Sequence, residues 1–471
     1  MTFKDELKIP SYWKQILTGL IIIEVLFFLL SLFQPIFAVL GVLCVIGFGL
    51  FYILFLRSPF IWICLLIFAS SLETYGRIGG GITLFHVVYL VSFLAFLSYL
   101  LFTQSIGNLK LRSPINKLVL LYLLISFISL SYSPNLESGI QNLAATFALF
   151  LFFLMIINFV NKSFHYTIIT FVLILTNIFI TTLIIYQTLK GEYIPGIMDS
   201  TVSVAGIKFY RAVGTFQDPN VAAAYLVAGI ILAFARLIHA KDSIILKTYF
   251  VFGLVISTVG VLITFSRSAL IFQFIGMLVV LLFIKNKVLL LSIALIILLV
   301  IISVGILSPF GILISERVST IFELLNDSSI KVRILMAISG FHMFLDSPIW
   351  GIGYRGFPIL YDYYVQPNLD QNLLYIKECH TLFVTILAEL GIVGFSVVFL
   401  WFRKVIISCY NAIKIEENNF RKPVLIGSYS LFIGFMINFL FYGTLFPLFN
   451  LFWLNLGLIF SVTLNSDSIQ N

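Results

Sequence analysis

Four short stretches place polar residues capable of chemistry in an otherwise apolar chain. Residues 211–226, RAVGTFQDPNVAAAYL, set Arg211 before a turn at Gly214 and Asp218-Pro219-Asn220. Residues 264–270, TFSRSAL, hold Arg267 in a tight hairpin between two apolar runs. Residues 331–357, KVRILMAISGFHMFLDSPIWGIGYRGF, carry Arg333 and a glycine-rich turn at Gly351, Gly353 and Gly356. Residues 380–394, HTLFVTILAELGIVG, open with His380. A guanidinium is a planar fork that matches the oxygens of a phosphate group. A histidine can take a proton from an alcohol near neutral pH. Each type also has a plainer use. Arginines near a membrane surface snorkel to lipid headgroups, and a lone histidine is usually a satisfied polar residue. His342 is an alternative active group on the same stretch as Arg333. Glu389 lies about 13 Å beyond His380 by helical rise and reads as a bundle-stabilising acid.

The elements that must position these residues are membrane helices. Of 471 residues, 61% are apolar and only 10% are Asp, Glu, Lys or Arg. A soluble domain carries about 25% charged residues. With 50 phenylalanines and a mean hydropathy of +1.11, the chain cannot hide its apolar surface in a water-soluble globule. The net charge of +8 is scattered through short loops without a basic run, which argues against nucleic acid as a partner. Cys44, Cys64, Cys379 and Cys409 form no C-x-x-C pair, so neither a zinc site nor a disulfide framework is expected. The start, MTFKDELKIPSYWK, lacks a cleavage site and reads as a cytosolic lead-in.

A span needs about 20 apolar residues. Candidates run over 16–33, 36–56, 59–71, 82–104, 116–132, 141–160, 165–189, 221–238, 246–265, 268–284, 287–308, 380–402, 424–442 and 446–464. The third is short enough to be a re-entrant half-helix, so 12–14 transmembrane helices are expected, all α-helical. Most of the 28 Lys and Arg residues fall in alternate short loops, which marks those loops and both termini as cytosolic. Two long loops, 190–220 and 309–379, then face outward. In the second, Ile330, Ile334, Ile338, Phe341 and Leu345 make one apolar face, predicting an amphipathic helix on the outer membrane surface. The chain thus divides into an N-terminal bundle over 1–308, a large outer loop over 309–379 and C-terminal helices over 380–471.

The four stretches, in this order, resemble the O-antigen ligase and polymerase (WaaL/Wzy-type) superfamily. The matching elements are R-x-x-G-x-F-x-D-P-N, T-F-S-R, R…P-x-x-G-I-G-x-x-x-F and H-x-x-x-x-x-x-x-x-E-x-G-x-x-G. They cover roughly the second half of the chain. Thr381 stands where the family commonly has Asn after the histidine, and such ligases typically have twelve spans.

The resemblance implies an all-α, GT-C-like glycosyltransferase bundle in the bacterial inner (cytoplasmic) membrane, with its active site on the periplasmic or extracellular side. It implies transfer of a glycan from undecaprenyl pyrophosphate to an acceptor hydroxyl. Arg211 and Arg267, with Arg333, would bind the pyrophosphate, and His380 would activate the acceptor. No cofactor and no metal are expected, and the reaction would invert the anomeric centre. Partners would be the lipid-linked donor, a glycan or lipid acceptor, membrane lipids and other polysaccharide-export proteins. A polymerase would extend a lipid-linked chain, whereas a ligase would pass a finished chain to lipid A-core. The number of polymerases in the superfamily tips the expectation to the former. A transporter or flippase is the alternative outside the class, and the charge-poor span interiors argue against it.

Overall fold

A computed structural model describes residues 60–72, 83–102, 113–191, 201–204, 207–284, 328–364, 379, 381–440 and 449–467. The spans expected at 16–33, 36–56 and 287–308 lie outside the described residues. Those described form thirteen helices and one two-stranded antiparallel hairpin. Five helices are long and apolar enough to cross a membrane, and several shorter apolar ones accompany them. The protein is an all-α, multi-pass membrane protein.

Helix α1 (Phe60–Ser70) is the short third segment, and nearly every one of its residues is buried. Its 11 residues rise about 16 Å, half an apolar bilayer core. Helices α2 (Leu84–Phe102) and α3 (Asn116–Ser129, closed by a 3-10 turn to Tyr132) follow. Next come α4 (Leu136–Phe159) and α5 (Ser163–Lys190), then the hairpin of β1 (Thr201–Val204) and β2 (Ile207–Tyr210). The hairpin sits in the first long loop, where no strand was expected.

Helix α6 (Pro219–His239) is the axis of the fold. Its Ala222, Ala223, Ala224, Ala228, Gly229, Ala233 and Ala235 keep its surface narrow, and α5, α7 (Ile244–Ile263) and α8 (Arg267–Leu282) close around it. Small residues let helix backbones approach closely where no hydrophobic effect drives association. Helix α12 (Arg421–Asn438) packs antiparallel on α8, with Phe272 against Gly434 and Phe435, and Phe283 against Tyr429. The start of α8 and the end of α12 therefore share one end of the bundle. Helix α13 (Phe449–Asp467) packs on α4.

The second long loop contains α9 (Ser328–Asp346), as the periodicity predicts, and also a short α10 (Phe357–Tyr364) that it does not. Met336, Ser339 and Met343 of α9 are buried, while Ile334, Ile338, Phe341 and Leu345 form an exposed apolar stripe. Tyr364 donates to Asp346 at 2.6 Å and ties α10 to α9; that bond to the carboxylate pushes the phenol's pKa up.

Helix α11 differs most from expectation. It runs Leu382–Ile415 and holds Arg403, Lys404 and Lys414 within it, where a cytosolic loop was expected to begin. Long basic side chains can lie along a helix and reach the interface, so charge marked the boundary too early. The helix is also broken: Gly391 has φ 62° and ψ −165°.

Candidate active site

Arg211 lies at the end of the chain segment that dips into the bundle before α6. Ala212, Val213, Thr215 and Phe216 are fully buried. Gln187 of α5 holds this turn: its Oε1 accepts from Val213 N at 3.1 Å and Gly214 N at 2.9 Å, and its Nε2 donates to Gly214 O at 2.8 Å. Thr215 donates to the Ser71 carbonyl just past α1, so the half-helix and the turn support each other. Gly214 has φ 60°, and a side chain there would also press on Ile180.

From this turn Arg211 reaches across to the hairpin between α7 and α8. Its Nε donates to Thr264 O at 3.0 Å and its Nη2 to Asn220 Oδ1 at 3.1 Å. Ser266 also donates to Asn220 Oδ1, at 2.8 Å. Phe265 makes the hairpin tight by adopting φ 54°, a left-handed conformation that costs a non-glycine residue about 1–2 kcal/mol. Arg267 is then the first residue of α8, capped by Ser266. The N-terminus of α6, capped by Asp218, lies beside it. Two arginines and two helix N-termini converge there, and helix N-termini favour anions.

The glycine-rich turn after α9 fills the break in α11. Ile352 N donates to Ala388 O at 2.9 Å and Gly353 N to Glu389 O at 3.1 Å. Ile392 N donates back to Pro348 O at 2.9 Å. Backbone groups freed by the break are thus satisfied by the turn. A Cβ on Gly351 would stand 2.3 Å from the Glu389 carbonyl carbon, and one on Gly391 2.3 Å from Ile349 O. Glu389, 4% exposed, accepts from Phe357 N at 3.3 Å and anchors α10. Its expected stabilising role thus takes a definite form. The turn also docks on the end of α3, where Tyr354 N donates to Ser129 Oγ at 3.2 Å and Ser133 Oγ to Tyr354 O at 2.7 Å.

His380 lies outside the described residues. Two residues later, Leu382 N donates to Phe439 O at 3.0 Å, at the end of α12 that lies beside the start of α8. The flanks of His380 and the arginine pair thus occupy the same end of the bundle. Cys379 is buried among Met336, Met343, Phe357, Tyr361 and Ala388. Burial pushes its thiol up to about 11, so it stays protonated at neutral pH. Arg333 is half-buried on α9, on the unit fastened to α11. His342 is exposed on the same helix. Among the described residues no three His, Cys, Asp or Glu side chains are grouped as metal ligands.

Residues 252–399 match the O-antigen ligase family model. The matched segment begins in α7, takes in Arg267, Arg333 and the glycine-rich turn, and ends just past the break in α11. The resemblance to the O-antigen ligase and polymerase superfamily is borne out over this stretch; Arg211 lies upstream of it. No curated protein matches the chain. The match covers about a third of the chain and supports a role in polysaccharide assembly at a general level.

Two residues of the site escape a reading by residue type, and one residue of the glycine-rich turn was passed over. Gln187 and Asn220 are uncharged, and their roles exist only through tertiary partners. Arg355, at φ 61° between Tyr354 and Gly356, is held in a conformation rare for arginine. Its place inside a run of glycines was the available signal.

Proposed function

We propose that the protein transfers a glycan from undecaprenyl pyrophosphate to an acceptor hydroxyl at the outer face of the bacterial inner membrane, acting as a surface-polysaccharide polymerase. The observation that carries this is the joining of Arg211 to the turn that launches Arg267. Departure of pyrophosphate develops negative charge, and fixed donors aimed at that charge lower the barrier. Arg211 and Arg267 hold the pyrophosphate, with Arg333 contributing from α9. His380 takes the proton from the acceptor hydroxyl as the oxygen attacks the anomeric carbon; the C–O bond to pyrophosphate breaks on the opposite side and the configuration inverts. The reaction needs no metal in this scheme, because guanidinium groups supply the positive charge. An apolar groove of about 330 Å³ along α11 and α12, lined by Phe383, Phe395, Phe399 and Met436 among others, suits a polyprenyl chain. A ligase would use the same site with a lipid A-core acceptor.

The test mixes purified protein with lipid-linked repeat units, with and without core-lipid acceptor. Lengthening of glycan in the absence of core lipid supports the polymerase; product only in its presence makes the protein a ligase. His380→Ala should insert normally, bind donor, and lose on the order of 10²–10⁴-fold in rate. Near wild-type transfer by that variant would remove the base assignment. Orientation is checked separately: cysteines placed near 200 and 365 should label from outside intact spheroplasts, and those near 110 and 415 should not. The reverse pattern would put the arginines on the wrong side for this reaction.

A further inference from the structure

The segment bearing Arg211 and the turn bearing Arg267 are joined at two oxygens, Thr264 O and Asn220 Oδ1, and only the second belongs to a side chain. Asn220 Oδ1 accepts from Arg211 Nη2 and from Ser266 Oγ, while the Asn220 backbone is fixed by Asp218, which accepts from Asn220 N at 2.6 Å. Ser266 is the cap of α8, so this atom couples the Arg211 guanidinium plane to the helix that Arg267 begins. We propose that Asn220 is a positioning residue for the donor site: its neutral amide oxygen orients Arg211 against the start of α8 without spending the positive charge that the pyrophosphate requires. The proposal rests on the reading of Arg211 and Arg267 as pyrophosphate ligands.

The argument turns on why an amide stands at this position. A carboxylate has nearly the same shape and would accept both hydrogen bonds more strongly, since charge-assisted bonds to guanidinium are shorter and stronger. Residue 220 is also in the first turn of α6, where the helix dipole favours a negative side chain. The guanidinium and the helix dipole therefore favour Asp over Asn, and repulsion from the Asp218 carboxylate, which accepts from Asn220 N, offsets part of that gain. An anionic ligand reverses the preference, because a carboxylate beside Arg211 would neutralise the guanidinium and repel the incoming phosphates. Asn220 is half-buried, so a ligand at the arginine pair comes within range of its charge state. Ser266 Oγ reinforces the arrangement by donating to the same oxygen, which keeps the amide oxygen turned toward Arg211.

The experiment titrates undecaprenyl pyrophosphate into the full-length protein in phosphatidylcholine nanodiscs, with undecaprenol as the tail-only control, and records thermal melting of each variant. Asn220→Asp should melt close to the wild-type temperature yet bind the pyrophosphate lipid on the order of tenfold more weakly, the size of one screened charge interaction. Its affinity for undecaprenol should not move. Asn220→Ala, which keeps the charge and loses the orientation, should also weaken pyrophosphate binding, with a smaller effect of added salt than in Asn220→Asp. An Asn220→Asp protein that melts far below wild type, or that binds the pyrophosphate lipid as wild type does, overturns the proposal. Arg211→Ala is the separate control. If it leaves pyrophosphate binding unchanged, the donor-site reading itself falls; if it weakens binding while Asn220→Asp does not, only the role of Asn220 falls.

Discussion

Two arginines bracket helix α6, and they are held by opposite chemistries. Arg236, in its last turn, is fully buried and forms a two-point pair with the Asp242 carboxylate, its Nε donating to Oδ2 at 3.1 Å. The Phe250 ring lies 5.7 Å from its guanidinium carbon. Arg211, ahead of the first turn, has an amide oxygen and a backbone carbonyl among its partners. A carboxylate cancels the charge it orients, whereas a neutral oxygen only aims it. The first arrangement closes the turn between α6 and α7; the second suits a site that must receive an anion. The same residue type thus does structural work at one end of the helix and functional work at the other.

The largest effect should come from breaking the neutralised pair. Asp242→Ala strands a guanidinium in an apolar setting, and removing one partner of a buried pair costs about 3–5 kcal/mol. Melting in detergent should fall sharply, while the surviving folded protein keeps its transfer rate. Loss of activity with unchanged melting would break the comparison, because Arg236 would then belong to the chemistry.

Arg211 should behave in the reverse sense. Arg211→Ala should lower transfer by about 10²–10³-fold, the range for removing one donor to developing charge, with melting close to wild type. Arg211→Lys should be nearly as damaging, since an ammonium cannot donate to Thr264 O and Asn220 Oδ1 along the same fork. Arg267 should follow the same pattern. Restoration of most activity by lysine would reduce both arginines to anchoring charges.

What sequence reading caught and missed follows the same division. Apolar runs located α5, α6, α7 and α8 to within a few residues, because membrane helices must satisfy their own backbones and so declare their length. Arg267 was conspicuous as a charge pinned between two such runs. The break at Gly391 was invisible, because the run from Leu382 onward stays apolar across it and its hydrogen bonds are completed by Pro348–Gly353, some forty residues earlier. The extent of α11 was missed because Arg403 and Lys404 read as loop. The partners of Arg211 were missed for a deeper reason. An amide announces no chemistry, and only the folded chain shows that Asn220 and Gln187 bond to the same loop, Asn220 at Arg211 and Gln187 at Val213 and Gly214.

Gln187 offers the smallest and sharpest test. Gln187→Leu fills a similar volume but leaves Val213 N, Gly214 N and Gly214 O without their shared partner. A buried group left unmade costs about 1–3 kcal/mol. The three lie on adjacent residues of one turn, so local movement should relieve part of the loss and the net destabilisation should stay near that range. That movement carries Arg211, two residues before Val213. The variant should therefore lose more transfer activity than its melting temperature explains, with the deficit concentrated in donor affinity. Asp242→Ala makes the useful contrast, since it should lose stability without a matching change in affinity. If Gln187→Leu instead melts and transfers as wild type does, the burial of Ala212, Val213 and Phe216 holds the turn unaided, and the neutral side chains around Arg211 would be packing and not aim.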